Sequence, residues 1–392
     1  MDQGSFTPGE GDSRGNIEER PRPCQPSGEA LGSGPRSGGV EVRARRVAGA
    51  VILTAEHAHI SVPGGAVSSD VETLASQIVE GSTRALARGL TWVESGGARA
   101  EALCARLYPS TGRAQIVGLT GAPGSGKSTL ARALALIARA RGRTVGVLAV
   151  DPSSPFTGGA ILGDRIRMSD LALDPGVFIR SMATRGALGG LSRAAADAVD
   201  LMDAAGLGVV LVETVGVGQD EVDVMRLAHT VVVVSVPGLG DDVQALKAGV
   251  LEIADVHVGN KADRDGADRT VAELRAMLTL LPSAEGTWIP PVLPASAARD
   301  EGIEAIADAL DNHMAYQKTS GELERRRQKI VTARVLRIAQ DLVAETVLAG
   351  ALGPEGAERA SLLERVARRE LAPHACARAL LAQAAGRAAG GS

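Results

Sequence analysis

Aromatic residues, cysteines and lysines are scarce in this sequence, and their scarcity narrows the classes of protein it can encode. Phe, Trp and Tyr make up 2% of the 392 residues, too few for the stacking surfaces that bind single-stranded nucleic acid. Cys24, Cys104 and Cys376 lie far apart and form no CxxC pair, so neither a disulfide framework nor a zinc knuckle is expected. The cytosol is therefore the expected compartment.

Charge and hydropathy exclude two further classes. The formal net charge is −4 and the pI is about 6.0, which argues against a general nucleic-acid-binding protein because such proteins carry a basic surface. No apolar run reaches the roughly 18 residues typical of a transmembrane helix. The acidic N-terminus, rich in glycine and proline, is unlike a secretory signal. A soluble globular protein of two or three domains is predicted.

The first two regions of the chain differ sharply in composition. Residues 1–65 begin with a stretch rich in Gly, Pro, Ser and charge, which predicts a disordered or poorly structured tail, although Val47–Leu53 is compatible with a short strand. Residues 66–114 carry apolar residues at helical spacing and predict an N-terminal helical extension. Gly96 and Gly97 separate two predicted helices there.

Residues 115–316 alternate short β-rich runs with helical stretches. Several runs are continuously apolar, as strands buried on both faces of a parallel sheet should be. The alternation predicts an α/β fold with right-handed βαβ units and a doubly wound parallel sheet. The predicted strands are Ile116–Thr120, Thr144–Val150, Val177–Ser181, Val209–Glu213, Val231–Val236, Val256–Gly259 and Trp288–Pro294.

Residues 317–392 are predicted to be helical, with one long helix over Leu323–Leu348 and two shorter helices after it. The long helix carries an apolar stripe formed by Ile330, Val331, Val335, Ile338, Leu342 and Val343. The pattern leaves two interpretations open. The stripe packs on the domain of its own chain, or it forms a dimer interface.

A glycine-rich loop directly follows the first strand of the α/β region and precedes an Ala/Leu-rich helix. Its residues fit GxxxxGKS, a phosphate-binding loop in the required strand–loop–helix context. Glycines let backbone N–H groups turn toward phosphate oxygens, and the helix N-terminus adds its dipole. Lys127, one of only five lysines among 42 basic residues, is expected to reach the β- and γ-phosphates, and Ser128 to bind Mg²⁺. The predicted loop comprises Gly121, Ala122, Pro123, Gly124, Ser125, Gly126, Lys127, Ser128 and Thr129.

A second motif, NKAD, follows the predicted strand Val256–Gly259 and favours GTP over ATP. The carboxylate of Asp263 can accept hydrogen bonds from the N1–H and the exocyclic amine of guanine, a donor pair that adenine lacks. Asn260 is expected on the N7 side of the purine, and the Lys261 stem on the plane of the base. A loop placed to contact the base edge follows the next β run and contains Ser296, Ala297 and Ala298.

Several acidic residues are placed to act near the phosphates. Asp151 and Glu213 each end an apolar strand, which puts a carboxylate beside the phosphate loop and near Mg²⁺ or its waters. Asp164 lies in a glycine-rich segment that can close over the γ-phosphate, the alternative being a solvated loop acid. The Glu213-Thr214-Val215-Gly216 segment has the layout of a switch in which the N–H of Gly216 senses the γ-phosphate.

With these motifs, the sequence resembles the MeaB/ArgK/MMAA family of P-loop GTPases, chaperones of adenosylcobalamin-dependent acyl-CoA mutases. The resemblance covers about Val71–Met314, and less closely the C-terminal helices. GNKAD and PGLGDD stand where many relatives have VNKAD and PGAGDE, which are small departures for nucleotide binding. The similar segments are LYPSTGRAQIVGLTG, TGAPGSGKSTL, LAVDPSSPFTGGAILGDRIRM, ETVGVGQDEVDV and VPGLGDDVQALKAGVLEIADVHVGNKAD.

This resemblance implies an Mg²⁺-dependent, SIMIBI-type GTPase domain with a C-terminal homodimerisation arm. It implies that Ser128, Asp151 and Asp164 bind Mg²⁺ and that Glu213 lies near the γ-phosphate. It makes Asp241–Lys247 a switch that senses the partner. The implied function is to gate cofactor loading of an adenosylcobalamin-dependent mutase, methylmalonyl-CoA mutase or a close relative, and to protect or reactivate it. The implied partners are that mutase and its cobalamin adenosyltransferase, in the cytoplasm, with no nucleic acid or membrane partner.

The residue after the switch glycine, Gly216, predicts how fast the isolated protein hydrolyses GTP. Many GTPases have there a Gln that orients the attacking water, but this chain has Val217, with Gln219 two residues further on. Slow hydrolysis by the isolated protein is therefore predicted. Lys247 is the candidate for neutralising charge on the transferred phosphoryl group, the alternative being a solvated helix lysine.

Three other functions remain as alternatives. A GTPase chaperone for nickel insertion needs clustered His or Cys, whereas the six His residues are scattered. A kinase that phosphorylates a transport-binding protein needs a phosphoacceptor site, and the sequence contains no recognisable one. A purely structural nucleotide-binding scaffold would show no Mg²⁺-dependent GTP turnover.

Overall fold

The computed structural model describes residues 43–47, 50–54, 69–152, 168, 170–184, 190–214, 226–238, 254–279, 286–349 and 356–390. The chain divides into two compact units, Met1–Gly65 and Ala66–Ser392. In the first unit, strands β1 (Arg43–Val47) and β2 (Ala50–Thr54) pair antiparallel. Where the sequence is compatible with a single strand over Val47–Leu53, one strand ends at Val47 and another begins at Ala50. The stretch predicted to be disordered lies outside the described residues.

The helical extension contains three helices rather than two: α1 (Ser69–Val79), α2 (Thr83–Ser95) and α3 (Ala98–Leu107). The predicted break at Gly96 and Gly97 is confirmed, with both residues at positive φ. The missed break lies at Gly81, whose φ is +83°, and Ser82, whose hydroxyl accepts a hydrogen bond from the Ala85 N–H at 3.3 Å. Ser82 therefore caps α2, a short local signal inside an otherwise continuous helical pattern.

Seven strands of the second unit form one sheet in which every neighbouring pair is parallel, in the order β5-β4-β6-β3-β7-β8-β9. The predicted doubly wound parallel sheet is confirmed. The last strand is shorter than predicted, because only its final three residues pair with β8. The strands are β3 (Gln115–Thr120), β4 (Val145–Pro152), β5 (Val177–Thr184), β6 (Val209–Thr214), β7 (Thr230–Ser235), β8 (Val256–Gly259) and β9 (Val292–Pro294).

Helices cover both faces of this sheet. On one face, α4 (Lys127–Ala140) and α7 (Ile303–Ser320) bury leucines and isoleucines against β3 and β6. On the other face, α5 (Gly190–Ala204) and α1 to α3 enclose a second apolar core. Helix α6 (Ala267–Leu278) packs beside β8 and β9. Since the strands are parallel, their carboxyl ends share one edge, which is where ligands bind in such sheets.

The C-terminal region forms α8 (Glu322–Ala349), α9 (Gly356–Ala367) and α10 (Pro373–Gly390), as the sequence predicted. Charged residues attach α8 to its own domain, because Arg334 bridges Asp197 and Asp200 of α5 at 2.6 Å each. The apolar stripe is largely uncovered: Val335 is 58% exposed and Leu342 48%. Among the described residues, no helix combines the length and the apolar character needed to cross a membrane.

Candidate nucleotide-binding site

The predicted phosphate loop links β3 to α4 at the carboxyl edge of the sheet. Gly121 and Gly126 have φ values of +140° and +93°, and both positions are crowded. A Cβ atom at Gly121 would lie 2.2 Å from the Val234 carbonyl oxygen, and one at Gly126 would lie 2.4 Å from Nδ2 of Asn260. The loop therefore requires glycine at these two positions for both backbone conformation and close approach.

Lys127 begins α4 and is largely buried. Its Nζ donates hydrogen bonds to the carbonyl oxygens of Gly121, at 2.7 Å, and Ala122, at 3.1 Å. The ammonium group thus lies across the loop that precedes its own helix. This arrangement puts a positive charge beside the helix N-terminus, where a phosphate is favoured.

Ser128 and Glu213 connect the phosphate loop helix to β6. The hydroxyl of Ser128 donates a hydrogen bond to Oε1 of Glu213 at 2.6 Å, and both side chains are buried. Glu213 reaches this position because it pairs with Leu119 of β3 and Ala149 of β4. Two oxygen-bearing side chains thereby meet next to the loop, and oxygen atoms are the ligands that Mg²⁺ prefers.

Asn260, at the end of β8, uses its whole amide group to join two loops. Its Nδ2 donates to the Ser125 carbonyl oxygen at 2.8 Å, and its Oδ1 accepts from the Ala297 N–H at 3.0 Å. The sequence suggested a contact between Asn260 and the purine. In the structure this amide holds the phosphate loop and the base-edge loop together, and the contact with the purine stays a prediction.

Lys261 also reaches the phosphate loop, with Nζ donating to the Gly124 carbonyl oxygen at 2.7 Å. Its φ of +59° is uncommon for a residue other than glycine. The strained backbone and the long side chain together carry the lysine stem back across the site. A strained residue at a loop that meets a ligand is typical of functional sites.

Asp263 lies beside the base-edge loop, where Oδ1 accepts a hydrogen bond from the Ser296 hydroxyl at 2.6 Å. This hydrogen bond is the main cause that lowers the pKa of the Asp263 carboxyl below its usual value, and Arg299, 3.7 Å away, adds to the effect. The group is therefore held as a carboxylate, which only accepts hydrogen bonds. Such an acceptor matches the donor edge of guanine.

Several predicted site residues fall outside the described part of the structure. Asp151 belongs to β4, but its side chain is not described. The following residues lie outside the described part of the chain: Asp164, Gly216, Val217, Gln219 and Lys247. Ala298 is described and follows Ala297 in the base-edge loop, where Ser296 forms a β-bridge with Glu301.

Arg132 is a residue near this site that the motifs did not indicate. It lies on α4, donates from Nε to Asp170 at 2.8 Å, and has Nη1 3.9 Å from Asp300, which follows the base-edge loop. It thereby links the helix of the phosphate loop to two other segments. No local pattern marks it, because both partners are distant in sequence.

A parallel sheet that carries a GxxxxGKS loop after one strand and NKAD after another defines a P-loop GTPase. The model of the family described as methylmalonyl-CoA mutase-associated GTPase MeaB matches residues 86–351. The chain belongs to this MeaB family of GTPases.

Individual relatives agree with this assignment. A protein of Pyrococcus abyssi is 46% identical over 318 residues, which span 81% of this chain and 97% of the relative. GTPase ArgK of Escherichia coli is 42% identical over 64% of this chain and 78% of its own length. The mitochondrial methylmalonic aciduria type A homolog of Caenorhabditis briggsae is 36% identical over 66% of this chain and 67% of that protein.

A solved structure supports the fold. The crystal structure of a protein named LAO/AO transport system kinase superposes with a TM-score of 0.62 at 28% sequence identity, covering 80% of this chain and 97% of that one. The resemblance stated from the motifs is therefore confirmed, as are the α/β P-loop fold and the GTP hydrolase class.

Proposed function

We propose that this GTPase is an Mg²⁺-dependent chaperone that gates cofactor loading of an adenosylcobalamin-dependent acyl-CoA mutase and protects or reactivates it. The observation that carries the proposal is the match of the mutase-associated family model to residues 86–351. Relatedness to the methylmalonic aciduria type A homolog points in the same direction. Methylmalonyl-CoA mutase is the first candidate partner.

The proposed nucleotide site divides into a phosphate end and a base end. At the phosphate end, residues 121–129 surround the phosphates with backbone N–H groups, and Lys127 exchanges its carbonyl partners for β- and γ-phosphate oxygens. At the base end, Asp263 accepts the two donors of guanine while Ser296 holds its carboxylate in place. Asn260 positions the two ends relative to each other, since its amide joins both loops.

Ser128, Asp151 and Asp164 are the proposed ligands of Mg²⁺. The support for this site is the Ser128 hydroxyl, an oxygen ligand, which the Glu213 carboxylate holds beside the phosphate loop. When bound, Mg²⁺ would neutralise negative charge on the phosphate oxygens. Glu213 would orient the Ser128 hydroxyl and lie close to the γ-phosphate, where it can hold a water molecule.

Hydrolysis by the isolated protein is expected to be slow, because Val217 offers no polar group to orient the attacking water. The partner would supply or order the missing group through the switch Asp241–Lys247. Gly216 would sense the γ-phosphate, and Lys247 would stabilise the negative charge that develops during phosphoryl transfer.

The proposed assembly is a homodimer held by the C-terminal helices. The uncovered apolar stripe of α8 supports this, because Val331, Val335, Leu342 and Val343 are each at least 43% exposed. Exposed apolar surface of this kind is typical of protein–protein contact. The cobalamin adenosyltransferase that supplies the mutase is a proposed second partner, and the cytoplasm the proposed compartment.

The decisive experiment measures GTP turnover by the full-length protein alone and with purified methylmalonyl-CoA mutase. Slow turnover that the mutase accelerates is expected. The Lys247→Ala variant should lose the acceleration, whereas Lys318→Ala, a change of the same kind on α7, should keep it. Fast turnover without a partner would contradict the argument from Val217, and equal acceleration of both variants would exclude Lys247 from the mechanism.

The same assay separates the alternatives. A protein kinase would transfer the γ-phosphate of labelled GTP to a protein, whereas a GTPase releases it as inorganic phosphate. A scaffold would release none. The nickel-insertion alternative gains no support from the described residues, among which no group of three or more His, Cys, Asp or Glu side chains is arranged to hold a metal ion.

A further inference from the structure

A cavity of about 140 Å³ lies between α5 and α8, at the amino ends of β3 and β7. This α5–α8 cavity is lined on its apolar side by Ile116, Ala196, Val199, Leu227, Ile330 and Val331. The phosphate loop follows the opposite end of β3, about 17 Å away at about 3.3 Å per residue. The cavity is therefore separate from the nucleotide site. A cavity of roughly 150 Å³ is known to hold benzene, so about six heavy atoms fit.

His229 is the polar residue that characterises this cavity. It is only 4% exposed, and its Nδ1 accepts a hydrogen bond from the Ile116 N–H at 3.3 Å. The ring proton consequently sits on Nε2, which has no hydrogen-bond partner among the described residues. Burial, together with the nearby charges of Arg327 and Arg326, lowers the pKa of His229 to about 3. The ring is neutral, and it offers one N–H donor to the cavity.

The carboxylates of the cavity wall are already engaged. Asp203 accepts hydrogen bonds from the backbone N–H groups of Gly112, Arg113 and Ala114. Asp200 accepts one from Nη1 of Arg334 at 2.6 Å. Both carboxylates in the wall thus have hydrogen-bond partners within the protein.

The donors, in contrast, are in excess. Besides Nε2–H of His229, the guanidinium group of Arg327 lines the cavity and makes one hydrogen bond within the described part of the chain, from Nη2 to the Gly112 carbonyl oxygen at 2.7 Å. The apolar walls fit the apolar part of a ligand. The unused hydrogen-bond donors and the positive charge of Arg327 fit an anionic group on the same ligand. A purely apolar ligand would leave His229 unsatisfied, and a cation would meet Arg327 while the wall carboxylates Asp200 and Asp203 are already paired.

We propose that the α5–α8 cavity binds a small monocarboxylate with a short apolar chain. Its carboxylate accepts hydrogen bonds from Nε2–H of His229 and from Arg327, and its chain lies against Val199 and Ile330. The adjoining groove of about 350 Å³, which shares Ala196, Leu227, Ile330 and Arg334 with the cavity, gives the ligand a path from solvent.

Ligand-detected NMR titration tests this with sodium butyrate as the probe, on the full-length protein saturated with a non-hydrolysable GTP analogue. Saturable binding is expected, with the butyrate methyl group receiving magnetisation from the protein, whereas butylammonium should not bind. Absence of saturable butyrate binding, or equal binding of butylammonium, would overturn the proposal. So would competition between butyrate and the nucleotide, because it would place butyrate in the nucleotide site.

Three variants locate the binding. Ala196→Leu fills the cavity without removing a hydrogen bond, and it should weaken butyrate binding about tenfold or more. His229→Phe removes the donor and should do the same, since a hydrogen bond to a charged group is lost. His374→Phe makes the same replacement at an exposed site on α10 and should leave the affinity unchanged. If His229→Phe does not fold, Ala196→Leu decides: unchanged affinity in that variant would overturn the proposal.

Discussion

Ser128 and Glu213 share a hydrogen bond of 2.6 Å that joins the first turn of α4 to the end of β6. The two residues are 85 positions apart in sequence, and the parallel pairing of β3 with β6 brings them together. A hydroxyl held by a buried carboxylate has a fixed orientation. The acid that ends β6 is thereby tied to the residue that the loop motif assigns to Mg²⁺.

This contact predicts the effect of changing either residue. Glu213→Gln should weaken Mg²⁺-dependent GTP turnover about 10- to 100-fold, the usual cost of losing a group that orients a metal ligand. Ser128→Ala should reduce turnover more than it reduces metal-free nucleotide binding. Turnover measured across a Mg²⁺ titration checks both, with Glu273→Gln on α6 as the control. Wild-type behaviour of Glu213→Gln at limiting Mg²⁺ would contradict the assignment.

The contact between Asp263 and Ser296 predicts base specificity. Asp263→Asn should weaken GTP binding roughly 100-fold and favour xanthosine triphosphate, because the amide replaces one acceptor with a donor. Ser296→Ala should weaken GTP binding less, since it removes only the group that holds the carboxylate. Competition between GTP and xanthosine triphosphate for the protein gives the ratio of their affinities, and Asp265→Asn is the control variant. Unchanged discrimination in Asp263→Asn would disprove this role.

Asp203 at the end of α5 predicts a stability effect far from the nucleotide. It accepts hydrogen bonds from three successive backbone N–H groups that lead into β3. Asp203→Ala leaves those donors without a partner and should lower the free energy of unfolding by about 3 kcal/mol. Urea denaturation measures this. Asp308→Ala, which removes an exposed ion pair with Arg141, should cost less than about 1 kcal/mol.

His229 predicts a dependence of stability on acid pH. Its pKa is lowered to about 3 in the folded protein, below the roughly 6.5 of an unfolded chain. Above about pH 6.5 the histidine is neutral in both the folded and the unfolded state, and the free energy of unfolding has its full value. As the pH falls from about 6.5 toward 3, only the unfolded chain takes up the proton, and the free energy of unfolding decreases. The contribution to the free energy of unfolding declines by about 1.4 kcal/mol per pH unit in that window. His229→Gln retains an acceptor for the Ile116 N–H, and a shallower pH dependence is expected; an identical slope would refute the claim.

The exposed stripe of α8 predicts the oligomeric state. Val335→Glu combined with Leu342→Glu puts two charges on one helix face and should give a monomer by sedimentation, whereas Gln340→Glu should not. A truncation before Glu322 tests the same idea less cleanly, because it also removes the contact of Arg326 with Asp255 at 2.8 Å. A monomeric wild-type protein at micromolar concentration would exclude the dimer.

The sequence by itself determined the features that depend on neighbouring residues. Short apolar runs that alternate with helical stretches specified the parallel sheet. GxxxxGKS and NKAD specified the nucleotide class, because the backbone conformations and donor patterns that these two motifs need are local. The long helix predicted over Leu323–Leu348 was equally evident from its periodicity, and the structure has it over Glu322–Ala349. The break at Ser82 was missed, since one capping hydroxyl is a weak signal within a helical pattern.

Only the tertiary structure decided which distant groups meet. Asn260 bridges to Ser125 across 135 residues, and its amide thereby joins two loops, a role that no motif states. Asp203 binds the turn before β3, and His229 faces a cavity closed by α8, both through contacts made when helices pack on the sheet. Such pairings depend on the whole arrangement of strands and helices, because a side chain's partners are set by packing across the fold and leave no local pattern in the sequence.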